Sequence, residues 1–422
     1  MEKYILFLAA YLPFQIALDP AVDVDLASIR VLVLVLFLMW LASGLKNKRI
    51  IIQASLQSAL ITAFLFLNAL SILMARNTDW SWRKLLFLLS IFPVYFVVSA
   101  TIDSREKVLQ AVKFLVASGT VLAAVGITQF IAQFIFGLEK TYKFWADNVV
   151  VPFLGKAFSQ AVLQNPSWLV NISGKTYLRA TAVFPDPHML AFYLGLLIPL
   201  ALGLVFFGEK KNYFWLVALG ILLLADLLTF SRGGYLGLFT GAVVIMCLWW
   251  NKIGRNYKFG ALALAGMMVA ALLLPSPISQ RFYSSFDLQE GSNAGRIAIW
   301  SQALNVSENN PLLGVGIGNY PLAVKASADY REPIYAHNTY LDIAVETGIV
   351  NMLVWALLLG VVFLKFYALG KQEPLFLMAG ASIIMFATHS LVETAIYSPT
   401  VLVLFLIIVG FSNVLPDYEK NT

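Results

Sequence analysis

The sequence is poor in charged residues and in cysteine. Asp, Glu, Lys and Arg make up 12% of the 422 residues, whereas hydrophobic residues make up 60% and the mean hydropathy is +0.79. This composition lies outside the range of soluble globular domains, so we expect an integral membrane protein. The single cysteine, Cys247, excludes a disulfide framework and a cysteine-based metal site.

Histidine is also scarce, and no carboxylate pair has the spacing of a metal site. Three histidines lie in separate segments, so the sequence predicts neither a metal ion nor a cofactor. The formal net charge of +6 comes from short basic clusters between apolar runs, as the positive-inside rule requires. We therefore expect membrane lipids around the chain and no nucleic acid. Residues 1–18 lack a small-residue cleavage site, so no cleavable signal peptide is predicted.

Apolar runs of about 20 residues are long enough to cross a bilayer core of ~30 Å as helices. The sequence predicts about 12 such spans. They lie near residues 4–18, 26–44, 54–75, 84–101, 108–136, 188–207, 213–230, 233–250, 257–275, 340–366, 374–396 and 399–415. The predicted fold class is all-α integral membrane, with two long connecting segments, of which the second carries short helices.

The charges of the connections predict the orientation of these spans. Every even-numbered span is followed by basic residues, which are Lys46, Lys48, Arg49, Arg105, Lys107, Lys210, Lys211, Lys252, Arg255, Lys258 and Lys371. The first odd-numbered connection carries only acidic residues, so we expect both termini in the cytoplasm. The predicted organisation is then helices 1–5 (1–137), a first periplasmic loop (138–187), helices 6–9 (188–275), a large periplasmic loop (276–339) and helices 10–12 (340–422).

Polar residues inside the predicted spans gather towards the periplasmic side. They are Arg30, Asp226, Asp342, Glu346, His389 and Glu393, with Arg76, Arg83 and Arg232 at span ends. An ion pathway would spread such residues through the whole depth of the membrane, so this pattern favours an outward-facing site. The first periplasmic loop is rich in aromatic residues, including Trp145 and Trp168, which we expect in the membrane interface.

Two arginines are candidates for anion binding. Arg232 lies in the short turn LLTFSRGGYLG, where Gly233 and Gly234 let the backbone reverse. Arg296 opens the longest stretch of mixed polarity in the chain, residues 296–348. A guanidinium can bind a phosphate with two parallel hydrogen bonds. The alternatives are an interfacial anchor for Arg232 and a solvated loop charge for Arg296.

His337 is the candidate general base. It stands before the tenth predicted span, in AHNTYLDIAVETG, and an imidazole can take a proton from a hydroxyl near neutral pH. The alternative is a role at the helix N-terminus, where Asn338 is a good cap. Asp186 and His188 are interpreted as caps of the sixth span.

Glu346 and the Gly-rich turn have structural interpretations. Glu346 lies two turns below His337, and pairing with an arginine from another span is favoured over a role as catalytic acid. Gly314, Gly316 and Gly318 have the spacing GxGxG without a βαβ unit, so they predict a turn and no dinucleotide site.

Three segments together resemble the O-antigen ligase and O-antigen polymerase superfamily of bacterial membrane glycosyltransferases. They are RATAVFPDPHMLAFYL (179–194), TFSRGGYLGL (229–238), and GRIAIWSQAL through NPLLGVGIGNY to AHNTYLDIAVETGIV (295–350). His188 stands where this family usually has asparagine. The resemblance covers roughly residues 178–352, and the first five spans are similar in topology only.

The resemblance implies about 12 helices, a large periplasmic loop and a glycan donor on undecaprenyl pyrophosphate. It implies that Arg232 and Arg296 bind the pyrophosphate without a metal and that His337 deprotonates the acceptor, a lipid A core sugar or another glycan. Arg179, Asn338, Tyr340 and Glu346 are the further residues expected at the substrate site. A polymerase that joins lipid-linked repeats, a lipid-linked oligosaccharide flippase and a structural scaffold remain the alternatives.

Overall fold

The structure, a computed structural model, describes residues 1–21, 24–50, 52–163, 166–172, 174–207, 213–249, 279–280, 283, 291–330 and 334–414. The predicted ninth span, residues 257–275, lies outside these residues. So do the basic connections that follow the predicted sixth and eighth spans, which are Lys210, Lys211, Lys252, Arg255 and Lys258.

The described residues fold almost entirely as α-helices. The N-terminal helices are α1 (Glu2–Tyr11), α2 (Ser28–Lys46), α3 (Leu56–Ser71), α4 (Thr78–Ile91), α5 (Pro93–Thr101) and α6 (Arg105–Phe136). Three short helices follow, α7 (Leu138–Phe144), α8 (Val151–Leu154) and α9 (Lys156–Leu163). The others are α10 (Pro187–Phe207), α11 (Tyr213–Leu228), α12 (Arg232–Trp249), α13 (Gly291–Asn309), α14 (Tyr320–Val324), α15 (Thr339–Thr347), α16 (Ile349–Gly370), α17 (Pro374–His389) and α18 (Pro399–Phe411).

Length and composition make this chain a multi-pass membrane protein. Among the described residues, six helices are long and apolar enough to cross a bilayer. They run over Ser28–Lys46, Leu56–Met74, Thr78–Thr101, Arg105–Phe136, Pro187–Phe207 and Ile349–Gly370. Shorter apolar helices are α11, α12, α17 and α18. The predicted all-α integral membrane class is confirmed, whereas the count of 12 spans stays a prediction.

Within the described ranges, two β-hairpins interrupt the helices. Strands β1 (Ala17–Ala21) and β2 (Val24–Ala27) pair antiparallel, with Ala17 opposite Ala27. Strands β3 (Leu169–Ile172) and β4 (Lys175–Leu178) also pair antiparallel, with Leu169 opposite Leu178. The second hairpin leads directly into the segment that ends at α10.

Helix α17 lies at the centre of the half of the bundle that carries the site. It packs against α10, α12 and α16, and α10 packs in turn against α11 and α6. Small residues permit this close packing: Gly237 and Gly241 of α12 face Met385 of α17. The ends of α10, α11, α12 and α17 that bear polar residues are thereby brought to one end of the bundle.

Several predicted spans differ from the observed helices. The first span, 4–18, ends early because α1 stops at Tyr11 and a 3₁₀ turn containing Pro13 leads into β1. The tenth span, 340–366, is divided into α15 and α16 at Gly348, whose φ of 93° lies in the left-handed region. The eleventh span, 374–396, ends at His389, so that residues 390–398 form a separate connection.

Trp145 and Trp168, two aromatic residues of the first long loop, are buried within the protein, and the position of this loop relative to the membrane interface stays a prediction. Both rings are buried, and their Nε1 atoms donate to backbone carbonyl oxygens, at 2.6 Å to Ala182 and at 2.7 Å to Pro185. Gln129 of α6 accepts hydrogen bonds from the backbone of Thr181 and Ala182. The segment that precedes α10 is thus fixed to the helical bundle.

The described segment from residue 291 to α15 contains more than short helices. Its first described helix, α13, has 19 residues and packs against α15. The Gly-rich turn that follows has positive φ at Gly314, Gly316 and Gly318. A Cβ at Gly314 would collide with the backbone of α15, so this turn brings α13 close to α15.

Candidate active site

Glu393 lies at the centre of the polar cluster. It belongs to the connection 390–398 between α17 and α18, and it is buried. Its Oε1 lies 2.7 Å from Nδ1 of His337, and its Oε2 lies 3.4 Å from Nη2 of Arg296. His188 Nε2 is 3.9 Å from the same Oε2. One carboxylate therefore joins residues from α10, α13 and the turn before α15.

The backbone before α15 holds His337 in an unusual conformation. Its φ of 49° lies in the left-handed region, which costs energy for a residue with a Cβ. The neighbours fix this geometry: the Ala336 N–H donates to Asp342 Oδ1 at 2.8 Å, and Trp300 Nε1 of α13 donates to the Ala336 carbonyl oxygen at 2.9 Å. The His337 side chain remains 44% exposed. An exposed imidazole on a constrained backbone is typical of a reactive group.

The contact with Glu393 also determines the protonation of His337. The hydrogen bond to Glu393 raises the pKa of His337 above its usual value, although partial burial opposes the shift. Burial alone would raise the pKa of the Glu393 carboxyl, but His188, the hydrogen bond from His337 and the Arg296 charge outweigh it and hold that pKa well below its usual range. Glu393 is therefore ionised, and Nδ1 of His337 carries a proton. Nε2 of His337 has no hydrogen-bond partner among the residues that the structure describes.

Ser231 connects the other two histidines. It lies in the turn between α11 and α12, and its Oγ is 2.9 Å from His188 Nδ1 and 3.4 Å from His389 Nε2. The His389 ring stacks on Phe192, with 3.6 Å between ring centroids. All three histidines of the chain thus lie in one cluster, which the sequence analysis did not predict.

Arg232 begins α12 directly after Ser231 and is buried. On its other side, Gly233 lies so close to His389 and Val392 that a Cβ would collide with both side chains. Arg232 is therefore flanked in sequence by two residues that contact the histidine cluster. The turn is sharp because Phe230 adopts a φ of 50°.

Two guanidinium groups are associated with the cluster: Arg296 contacts Glu393, and Arg232 follows Ser231 in sequence. Arg232 and Arg296 carry two positive charges, whereas Glu393 is the carboxylate that contacts Arg296 and His337. Guanidinium groups of this kind bind phosphate and diphosphate oxygens with short, charge-assisted hydrogen bonds. The described residues contain no group of three His, Cys, Asp or Glu side chains that could hold a metal ion.

Three of the other predicted substrate-site residues bind backbone atoms. Arg179 is buried, and its Nε and Nη1 donate to the carbonyl oxygens of Thr229 and Ser167 at 2.7 and 2.9 Å. Asn338 Oδ1 accepts from the N–H groups of Tyr340 and Leu341, as a helix N-cap does. The Tyr340 hydroxyl donates to the Ala387 carbonyl oxygen at 2.9 Å. These contacts indicate that Arg179, Asn338 and Tyr340 hold the segments around the site in place.

Glu346 pairs with a lysine, so the predicted arginine partner is wrong. Lys84 Nζ of α4 lies 2.8 Å from both Glu346 carboxylate oxygens, and the Tyr397 hydroxyl donates to Oε2 at 2.9 Å. Lys84 Nζ also lies 3.6 Å from the centre of the Tyr397 ring. This group joins α4, α15 and the connection that carries Glu393.

Asp186 behaves as predicted, whereas His188 does not. Asp186 Oδ1 accepts from the N–H groups of His188 and Met189, which caps α10. The His188 side chain instead reaches Ser231 and Glu393. The sequence analysis gives Glu393 and His389 only as polar residues inside predicted spans and assigns no role to Ser231. The sequence feature that points to His389 and Glu393 is the polar interruption HSLVET after an apolar run.

Comparison with known families gives a match over the middle part of the chain. Residues 216–356, about a third of the chain, match the family model described as O-Antigen ligase. This part of the chain is therefore similar to the O-antigen ligase family. The matched region contains Arg232, Arg296 and His337, whereas His188 and Glu393 lie outside it. The predicted resemblance to the ligase and polymerase superfamily is confirmed.

A curated relative has a related description. The "Exopolysaccharide production protein ExoQ" of Rhizobium meliloti (strain 1021) is 27% identical over 198 residues. The alignment covers 43% of this chain and 45% of the relative. The match thus spans less than half of the relative's length.

Proposed function

We propose that this membrane protein is a metal-independent glycosyltransferase that moves a glycan from undecaprenyl pyrophosphate to an acceptor sugar hydroxyl, on lipid A core or another glycan. The observation that carries the proposal is the Glu393 carboxylate, which contacts both Arg296 and His337. These residues are distant in sequence and provide an anion-binding group and a proton acceptor side by side. The reaction takes place at the periplasmic face of the bacterial inner membrane, with both termini in the cytoplasm.

Each predicted catalytic residue has a distinct task in this proposal. Arg232 and Arg296 bind the diphosphate and neutralise the charge that grows on it as the glycosidic bond breaks. His337 takes the proton of the acceptor hydroxyl through Nε2. The acceptor oxygen bonds to the anomeric carbon, and the electron pair of the broken bond leaves with the pyrophosphate. Arg179, Asn338, Tyr340 and Glu346 keep the surrounding segments in place.

A second candidate is a polymerase that joins lipid-linked repeats. It is favoured by the relative described as an exopolysaccharide production protein. Both reactions use the same donor chemistry, so the three residues keep their tasks in either case. A ligase yields glycan on lipid A core, whereas a polymerase yields longer glycans on the lipid carrier.

The test is an assay of the purified, reconstituted protein with a lipid-linked glycan and each acceptor, with and without chelator. Arg232→Lys and Arg296→Lys are expected to reduce kcat/KM at least about 100-fold, because lysine cannot form the paired bonds. His337→Gln is expected to abolish turnover while donor binding is retained. Arg105→Lys, a half-exposed partner of Glu373, is the control and should retain normal activity.

The outcomes separate the alternatives. Near-normal transfer by both arginine variants would remove the diphosphate-binding role. Movement of the lipid-linked glycan across vesicles without glycosidic transfer would indicate a flippase. Failure of the wild-type protein with every acceptor, or loss of activity on chelation, would contradict the proposal.

A further inference from the structure

Hydrogen bonds of other groups hold the connection 390–398 against α15, so the Glu393 carboxylate is available for the active site. The Thr339 N–H donates to the Ser390 carbonyl oxygen at 2.9 Å, and the Thr339 hydroxyl donates to the Glu393 carbonyl oxygen at 3.0 Å. Thr394 Oγ1 in addition forms a short hydrogen bond with Asp342 Oδ2. The connection 390–398 is thus attached without the Glu393 side chain, whose two oxygens face His337 and Arg296.

We propose that Glu393 is the positioning residue of the transfer reaction. It keeps the proton of His337 on Nδ1, leaves the Nε2 lone pair to take the acceptor proton, and holds the Arg296 guanidinium beside that imidazole. This inference rests on the proposed function, in which His337 is the base. Glu393 acts through its neighbours and does not itself touch the reacting atoms.

The geometry of the contact supports this assignment. A carboxylate at 2.7 Å from Nδ1 accepts a hydrogen bond, which fixes both the tautomer and the ring orientation of an imidazole. When Nε2 takes the acceptor proton, the imidazolium is stabilised by the same carboxylate, which stays ionised. Without Glu393 the ring could rotate or carry its proton on Nε2, and it would then be a poor base.

The same carboxylate holds the anion-binding group, Arg296, next to the proton acceptor, His337. Arg296 projects from α13 and His337 from the turn before α15, so neither element alone fixes their separation. Oε2 lies 3.4 Å from Arg296 Nη2, while Oε1 of the same group binds His337. A guanidinium presents five N–H donors, so Arg296 can contact Glu393 and a diphosphate at once.

The pH dependence of the reaction provides a readout that a structural role would not change. Glu393 raises the pKa of His337, and the base must be neutral to act. Removal of the carboxylate should therefore move the acidic limb of the kcat/KM profile to lower pH. The other titratable or charged groups around this pair are Arg296, His188, Asp342, His389 and Asp186.

The experiment compares Glu393→Gln with wild type in the reconstituted transfer assay. We expect kcat to fall about 100-fold or more, KM for the lipid-linked donor to change far less, and the acidic limb to move to lower pH. Glu393→Asp, which keeps the charge, should recover part of kcat and of the wild-type profile. Glu373→Gln is the matched control, because Glu373 forms a partly exposed pair with Arg105, and it should have normal kcat and profile.

Three results would overturn the inference. The first is wild-type kcat in Glu393→Gln. The second is an unshifted acidic limb in both Glu393 variants. The third is a loss of activity in both variants that is accompanied by a matching loss of thermal stability. Should Glu393→Gln fail to fold, Glu393→Asp decides: a kcat below that of wild type with normal thermal stability supports the inference, and wild-type kcat overturns it. An inactive His337→Gln beside a fully active Glu393→Gln defeats this inference alone, whereas an active His337→Gln defeats the proposed base itself.

Discussion

Gly233 is the residue at which the Arg232 turn approaches the histidine cluster. A side chain at this position would overlap the His389 ring and the Val392 side chain. His389 cannot move away easily, because its ring stacks on Phe192 and it is buried. Glycine is therefore required here by space, although its φ is not in the left-handed region.

We predict that Gly233→Ala reduces transfer activity at least about 10-fold, because a small displacement at a site is enough to misalign its groups. Gly220→Ala is the control: no atom would lie near its Cβ, and alanine in the interior of α11 should leave stability unchanged or raise it by about 0.5–1 kcal/mol. Initial rates and thermal unfolding of the two variants in detergent provide the measurement. Equal activity of Gly233→Ala and wild type would show that this contact does not position Arg232.

The sequence predicted part of the site because its chemistry was locally visible. Arg296 and His337 stand out in a long stretch of mixed polarity, and the structure brings both to Glu393. Glu393 lies in the polar interruption HSLVET after an apolar run, but the sequence does not show that His337 and Arg296 are its partners. His188 was assigned to a cap because Asp186 does cap α10. Residues that are distant in sequence come into contact because the helices pack together. The periodicity of the sequence does not show which helices pack against each other.

At the scale of elements, the Lys84–Glu346 pair joins three parts of the bundle. Lys84 comes from α4, Glu346 from α15, and Tyr397 from the connection that carries Glu393. Glu346 is buried and Lys84 is 14% exposed at its side chain. Removal of one member leaves the other in a poorly solvated place, which destabilises more than the pair itself stabilises.

We predict that Glu346→Gln lowers the free energy of unfolding by about 2 kcal/mol. Lys84→Met should destabilise by a similar amount, since it leaves the carboxylate with the Tyr397 hydroxyl alone. The double variant Lys84→Met/Glu346→Gln should lose less than the sum of the two, because no unpaired charge remains. Denaturant or thermal unfolding of the four proteins in one detergent measures the cycle. Strict additivity of the two changes would contradict a direct interaction.

Helix existence was predictable from sequence, and helix ends were less so. Apolar runs over α2, α3, α6 and α10 correspond to long helices. In lipid the backbone N–H and C=O groups must pair with one another, and a continuous helix pairs them. The interruption at Gly348 was missed because the apolar pattern continues across it. Its positive φ brings the backbone close to Leu312, a contact between segments that are not neighbours in sequence. The break separates α15, which follows His337, from α16.

At the scale of the whole molecule, the site residues share one end of the bundle. They come from the start of α10, the turn between α11 and α12, the start of α13, the turn before α15 and the connection after α17. The proposed function requires this end to face the periplasm, where the lipid-linked donor is present. The orientation depends on the number of spans, and the predicted ninth span lies outside the described residues.

Cysteine accessibility tests both the orientation and the ninth span. In a Cys247→Ser background, we predict that Asp19→Cys and Leu391→Cys react with a membrane-impermeant maleimide in intact cells. Lys46→Cys and Lys371→Cys should react only after permeabilisation, because basic connections stay inside. Ten predicted spans separate Asp19 from Leu391. If residues 257–275 do not cross the membrane, nine remain and these two positions lie on opposite sides. Labelling of Leu391→Cys from the cytoplasm alone would place Glu393 and His337 away from the periplasm and exclude the proposed reaction at that face.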